Sequence, residues 1–344
     1  MRIGTISMSE DKTRIVRSAD WFRRNGVEWE ERNGWLIPAS FGSFRSELEA
    51  LRAGRGVIDW SDRGVLELEG GDALDYLNRV STNEIVGSKL SGGLQTLLLT
   101  EKGRVIDSVL LLRKEKIILI TSRGASDQVR GWLEKFIVAD DVTVHDRTGE
   151  VGLFVRLLPP PGAAPRGESF GNPSVQIPFF SMKGELSFIE EPEAWFEGPL
   201  RDSGYMLVGN RAYERIRIEA GIPSYGGEMT GEFNPLELNL RNQISFTKGC
   251  YTGQEVVARL DTYRKVQRHL CLLQWPAEKR EGNVTDLIGE GNPVGRVLSR
   301  TGPVAGEEMV FGLGIVRKEF ARTGELLDIA GAGISAAITR VFND

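Results

Sequence analysis

Hydrophobic and polar positions divide the chain into a body of mixed periods and a tail with only a strand period. Residues 65–69 (Val-Leu-Glu-Leu-Glu) alternate, which predicts a strand with one face inward. Gly70-Gly71 turns the chain, and Asp72 is placed to cap a helix over 73–80 with Leu74 and Leu77 inward. Upstream, Ser46-Glu-Leu-Glu49 has the spacing of a capping box and predicts a helix over 47–53 that Gly54 ends. Residues 94–100 and 104–113 predict a hairpin turned at 101–103, and 117–121 a third strand. A helix follows over 126–136, with Val129, Trp132, Leu133 and Phe136 on one face, then strands over 142–146 and 151–157. Helices interspersed among strands read as an α+β class.

Pro159-Pro160-Pro161 to Pro165 is a proline-rich break, read as a surface loop within the fold. Asn210 is placed to cap a helix over 212–220, which Gly221 ends. Residues 222–249 look irregular. Strands are predicted at 265–275, 295–299, 308–316 and 334–341 with no helical period among them, so the last ~80 residues read as a small β domain. The boundary is placed near 262, giving regions 1–262 and 263–344. The first forty residues, with Trp21, Trp29 and Trp35, predict an amphipathic helix followed by a loose segment.

Charge and composition narrow the function. With 43 basic and 48 acidic residues among 344, the net charge is 43 − 48 = −5, which argues against a general nucleic-acid binder while permitting a local basic pocket. Two cysteines (Cys250, Cys271) and two histidines (His145, His269) form no C-x-x-C or H-E-x-x-H pattern. No metal site is therefore expected, and the chain cannot by itself supply four thiolates to an iron–sulfur cluster. Low cysteine usage suits a reducing compartment. The start has no apolar leader and no apolar run approaches ~18 residues, so a cytoplasmic protein without a membrane span is expected.

Three stretches carry candidate chemistry. In Lys248-Gly-Cys-Tyr-Thr-Gly-Gln-Glu255, Thr252 and Glu255 have capping-box spacing, which sets Cys250 just before a helix N-terminus with Lys248 two residues away. Both would favour a thiolate; the alternative is a buried cysteine acting as a small apolar residue. Cys271, in an alternating strand, reads as structural. In residues 213–221, Arg215 and Glu219 share a helix face and Arg217 lies on another; a solvated charged face is the alternative to a site. Tyr225 follows in a glycine-loosened loop where it could stack on a flat ligand. In residues 104–112, Ser108, Leu110 and Leu112 project to one face of a strand and Asp107 and Val109 to the other.

Together these segments resemble a known family. Arg217-Ile-Glu219-Ala with residues 221–237 resembles the R-[LI]-E-A-G…Y-G…P-x-E signature of the T-protein (aminomethyltransferase) of the glycine cleavage system. Residues 248–255 resemble the K-G-C-[YF]-x-G-Q-E signature of its YgfZ-type folate-binding paralogues, and residues 57–61 and the helix after Gly71 resemble the superfamily's amino-terminal part. The resemblance runs from about residue 45 to the end. It implies a three-lobed α+β fold around a folate pocket with a C-terminal β-barrel, tetrahydrofolate or a derivative as ligand, and a role in assembly or repair of iron–sulfur enzymes through the motif cysteine. Aminomethyltransferases carry an Asp-Asp pair where this chain has Asp107-Ser108, and serine cannot serve as the carboxylate.

Three functions follow. The favoured one is a tetrahydrofolate-binding protein that supports iron–sulfur client enzymes or assembly factors, with Cys250 as the functional thiol and Lys248 lowering its pKa. Arg217, Glu219, Tyr225 and Asp107 are then folate-contact candidates, with a shelf made by Ser108, Leu110 and Leu112. The second is a true aminomethyltransferase. The third is a non-enzymatic scaffold that docks a client.

Overall fold

Alternating strands that each bury one face must stack that face on something, and among the described residues they stack as three sheets and a closed six-stranded barrel. The computed structural model describes residues 13–86, 92–113, 116–158, 174–179, 182–277, 286–302 and 307–342, so the proline-rich break at 159–165 lies outside the described residues.

The first sheet joins β1 (Arg14–Ile15), β2 (Glu28–Arg32) and β3 (Trp35–Ser40) in the order β1-β3-β2, and α1 (Ala19–Arg24) lies between β1 and β2 in the chain. The segment expected to be loose is therefore a small sheet. Its pattern hid it: β2 has one apolar residue, Trp29, among charges, and Pro38 interrupts β3. Phe22, Trp35 and Ile37 bury against Phe154, Trp195 and Phe196, partners more than a hundred residues away.

Helix α2 (Phe44–Arg52) begins earlier than its spacing predicts. Ser43, not Ser46, is the N-cap, its hydroxyl accepting the Ser46 N–H at 3.3 Å. The capping box does not form. Instead the buried Glu47 carboxylate accepts the Ser40 hydroxyl (2.7 Å), the Phe41 N–H (2.8 Å) and the Gly209 N–H (2.7 Å). One acid thus ties the end of the first sheet to the start of a helix far along the chain.

The second sheet holds β4 (Gly56–Asp59), β10 (Gly152–Leu158), β11 (Ser174–Phe179), β12 (Met182–Ile189) and β13 (Met206–Val208) in the order β11-β12-β10-β4-β13. The third holds β5 (Arg63–Glu69), β6 (Leu94–Leu99), β7 (Val105–Arg113), β8 (Ile117–Arg123) and β9 (Thr143–Asp146) in the order β6-β7-β8-β5-β9. The period of two in β7 sorts its side chains between two cores. Leu110 and Leu112 pack with Val155, Leu157 and Leu186 of the second sheet; Val109 and Leu111 pack with Tyr76, Leu77, Val129 and Leu133 of α3 (Ala73–Val80) and α4 (Ser126–Phe136). Asp72 stands at the start of α3, but its carboxylate accepts the Asp141 N–H rather than capping the helix.

Helix α5 (Pro192–Trp195) continues as a π turn, Phe196–Leu200. Helix α6 (Asn210–Glu219) leads into an irregular run, and α7 (Gln254–Thr262) precedes the barrel. The barrel closes in the order β14 (Arg268–Pro276), β17 (Met309–Arg317), β16 (Asn292–Arg300), β15 (Asp286–Gly289), β18 (Leu326–Ile329) and β19 (Ile334–Phe342). The chain is α+β with a C-terminal β-barrel.

Gly221 joins α6 to the barrel. It has φ +68°, and a Cβ there would come within 2.5 Å of the Phe342 ring. Gly221→Ala adds a left-handed alanine, costing ~1 kcal/mol or more, to an overpacked contact costing a similar amount. A loss of about 2–3 kcal/mol in urea unfolding is expected.

Candidate functional site

A cavity of about 790 Å³ lies where all of these parts meet. The first sheet's hairpin supplies Arg32 and Asn33, the β4–β5 turn Trp60 and Arg63, β7 Ser108 and Leu110, α6 Tyr213, Glu214 and Arg217, and the barrel residues 298–302. Asn33 fastens the hairpin over this space by donating to the Arg123 carbonyl (3.3 Å) and the Tyr225 carbonyl (3.0 Å).

One wall is aromatic. Trp60 and Phe179 have ring centroids 5.7 Å apart, and Phe179 and Tyr213 6.3 Å. The Arg63 guanidinium lies 3.9 Å over the Trp60 ring and donates to the Tyr213 hydroxyl at 3.1 Å. Its Nε is buried without a partner, and among the described residues no carboxylate lies within ion-pair distance of it. An aromatic wall beside an uncompensated cation suits an aromatic ligand that carries an acid.

Arg123 and Arg217, by contrast, are neutralised within the fold. Arg123 pairs with Asp62. Arg217, on the inward face of α6, is 2% exposed. It donates to both oxygens of Glu214 (2.9 Å each), to the Ile222 carbonyl (2.6 Å) and to Glu228 (3.1 Å). Burial opposes the charge on Glu214, yet the Arg217 guanidinium outweighs it and holds that carboxyl below the usual range. Arg217 thus lines the cavity, but its donors are spent within the protein.

Ser108 and Leu110 line the cavity, whereas Leu112 continues into the core between the sheets. Asp107 lies fully buried behind the wall. Its two oxygens accept the backbone N–H groups of Ser108 and Ser122 at 2.9 Å each. Burial pushes its carboxyl up to about 6, with those donors pulling the other way. Tyr225 lines the cavity with its hydroxyl donating to Gln128, and burial and the nearby Asp107 both raise its phenol. Glu219 is elsewhere. It pairs with Arg215 and Arg52 on the face of α6 that meets α2, so it is no cavity contact.

The octapeptide also lies outside the cavity lining. Cys250 is exposed, and Cys271 is buried in the barrel, where burial pushes its thiol up to about 12. Helix α7 starts at Gln254 behind a left-handed Gly253, so Thr252 does not cap it. Gly253 sits there because a Cβ would come within 2.6 Å of the Thr100 carbonyl oxygen. Lys248 faces inward instead of serving the thiol. Its ammonium donates to the carbonyls of Asn78, Ser81 and Asn83, which fills all three N–H positions, and burial lowers it to about 8. Lys248→Met leaves those carbonyls unpaired, and a loss of about 2–3 kcal/mol in urea unfolding is expected.

The sequence reading missed Arg63, Trp60, Phe179, Tyr213 and Gln243. The first two flank a turn, Trp60-Ser-Asp-Arg63, whose start lies in the stretch 57–61 that resembles the superfamily but to which the sequence reading gives no ligand role; the others reach the cavity only through long-range folding. The one local signal was an aromatic residue and an arginine at either end of a tight turn.

Residues 18–155 match the model of the GCVT N-terminal domain. Over 327 residues the chain is 29% identical to a chloroplastic protein of Arabidopsis thaliana named "Putative transferase", covering 89% of this chain and 75% of that one. It is 23% identical over 339 residues to the aminomethyltransferase of Bacillus subtilis, covering 90% and 92%. The glycine cleavage system aminomethyltransferase T of Bartonella henselae superposes with a TM-score of 0.79 at 19% identity over 95% of this chain and 97% of that one. The chain therefore has the aminomethyltransferase T fold. Among the described residues no helix is long and apolar enough to cross a membrane.

Proposed function

We propose that this chain is a T-protein-superfamily protein that binds a reduced folate in its central cavity. The observation that carries this reading is the Trp60–Phe179–Tyr213 wall with the uncompensated Arg63 beside it, within a T-protein fold. Folate is a flat ring system joined to a glutamate. The aromatic wall and Tyr225 offer stacking surfaces, and Arg63 in place of Arg217 offers the charge for a carboxylate. Titration with tetrahydrofolate, followed by tryptophan fluorescence, tests it. Saturable binding that weakens tenfold or more in Arg63→Met is expected; no binding by the wild type overturns the reading.

Aminomethyl transfer is the less favoured activity, because Ser108 offers a hydroxyl where those enzymes offer a second carboxylate. A role with iron–sulfur clients draws on a different observation, the exposed thiol of Cys250 away from the cavity lining. In cells lacking the protein, failure of Cys250→Ala to restore iron–sulfur enzyme activity supports that role. Equal rescue by wild type and variant removes the thiol from it. A client bound without any folate leaves the docking scaffold. A reducing, cytoplasmic setting belongs to the same proposal.

A further inference from the structure

The cavity end at Ser108 offers hydrogen-bond donors and no available anion. The Asp107 carboxylate is behind the wall with both oxygens taken by backbone N–H groups, and the Glu214 carboxylate is taken by Arg217. The groups that line this end are different. The Ser108 hydroxyl donates to Gln243 Oε1 at 2.7 Å. That bond spends the amide's acceptor on Ser108 and leaves its Nε2 as the free end, which makes no hydrogen bond among the described residues. The Gln243 main chain is fixed independently, its carbonyl accepting the Thr82 hydroxyl at 2.7 Å.

Such a lining discriminates by the sign of what it meets. A cationic or donor-bearing group would face an amide N–H with no carboxylate to receive it. A carbonyl oxygen would accept from the amide. We propose, resting on the folate reading above, that Ser108 and Gln243 make this cavity selective for a reduced folate whose one-carbon unit carries an acyl oxygen, that is, a formyl-bearing folate. Ser108 acts by orienting the amide and Gln243 by donating to the ligand. Loss of such a donor leaves a buried carbonyl unpaired, which is how hydrogen-bonding sites reach strong discrimination.

Calorimetric titration with 5-formyl-, 5-methyl- and unsubstituted tetrahydrofolate tests this on the full chain. The wild type is expected to bind the formyl compound at least tenfold more tightly than the methyl compound. Gln243→Glu, isosteric but with an oxygen in place of the donor, is expected to remove that ratio. Ser108→Ala, which frees the amide to turn over, is expected to shrink it and carries the test should Gln243→Glu fail to fold by circular dichroism. Equal affinity of the wild type for the formyl and methyl compounds, or a ratio that neither variant alters, overturns the proposal while leaving folate binding intact. No binding of any of the three overturns the folate reading as well.

Discussion

Replacing Arg217 by methionine is expected to cost about 3–5 kcal/mol of folding stability, the range for removing one partner of a buried ion pair. The guanidinium lies between two acids: Glu214, one turn back on α6, and Glu228, which is fully buried in the loop beyond it. Glu228 also accepts the Ser224 N–H and hydroxyl through one oxygen, and its other oxygen has no partner, so Arg217 is the cation that makes its charge tolerable. Methionine fills much of the volume and leaves both carboxylates, Glu214 and the fully buried Glu228, without their cation. Urea unfolding measures the loss. The double variant with Glu228→Gln should lose less than the sum of the two single variants, because the second change removes the acid that the first strands. Additive losses would mean that the two residues do not act as a pair.

The second large effect is a dependence on pH. Asp59, the partly exposed last residue of β4, has a desolvated carboxyl that is pushed up to about 7 despite the Ser61 hydrogen bonds and Arg123. Its Oδ2 has no partner. A carboxyl whose folded pKa is raised keeps its proton in the native state where the unfolded chain has released it. Its contribution is complete below the unfolded value near 4 and is lost as pH rises through about 7. Over that window the linkage amounts to on the order of 4 kcal/mol. Asp59→Asn cannot ionise and keeps an oxygen for the Ser61 N–H, which bonds Asp59 at 2.8 Å. The stability of the variant relative to wild type is therefore expected to rise between pH 5 and pH 8 in urea unfolding. A difference that stays flat would show that Asp59 is already ionised at pH 5.

Strands that bury one face on each side were legible in the sequence. The alternation from 104 to 113 separated Ser108, Leu110 and Leu112 from Asp107 and Val109, and the cavity and the two cores divide along that line. Features decided by tertiary partners were not. Helical spacing placed Arg217 and Arg215 on different faces, but which face turns inward depends on Glu228 and on the barrel, where Phe311 lies 3.5 Å from the Arg215 guanidinium. Local spacing proposed capping boxes at Ser46 and Thr252; neither formed, because the first helix starts earlier, with Ser43 accepting the Ser46 N–H, and Gly253 must pass the Thr100 carbonyl. The same competition turned Lys248 from a neighbour of the thiol into an anchor for residues 78–83.

The bond from Glu47 to Gly209 also bears on the order in which the chain folds during its synthesis. Residues 14–40 are made well before their partners: Trp21, Phe22 and Trp35 rest on Trp195 and Phe196, and the carboxylate that closes this part waits for the amide of residue 209. At ~5–20 residues per second, a ribosome needs roughly ten to thirty seconds to make the intervening stretch. For that time the tryptophan-rich segment stands without its partners, its apolar side chains open to other contacts.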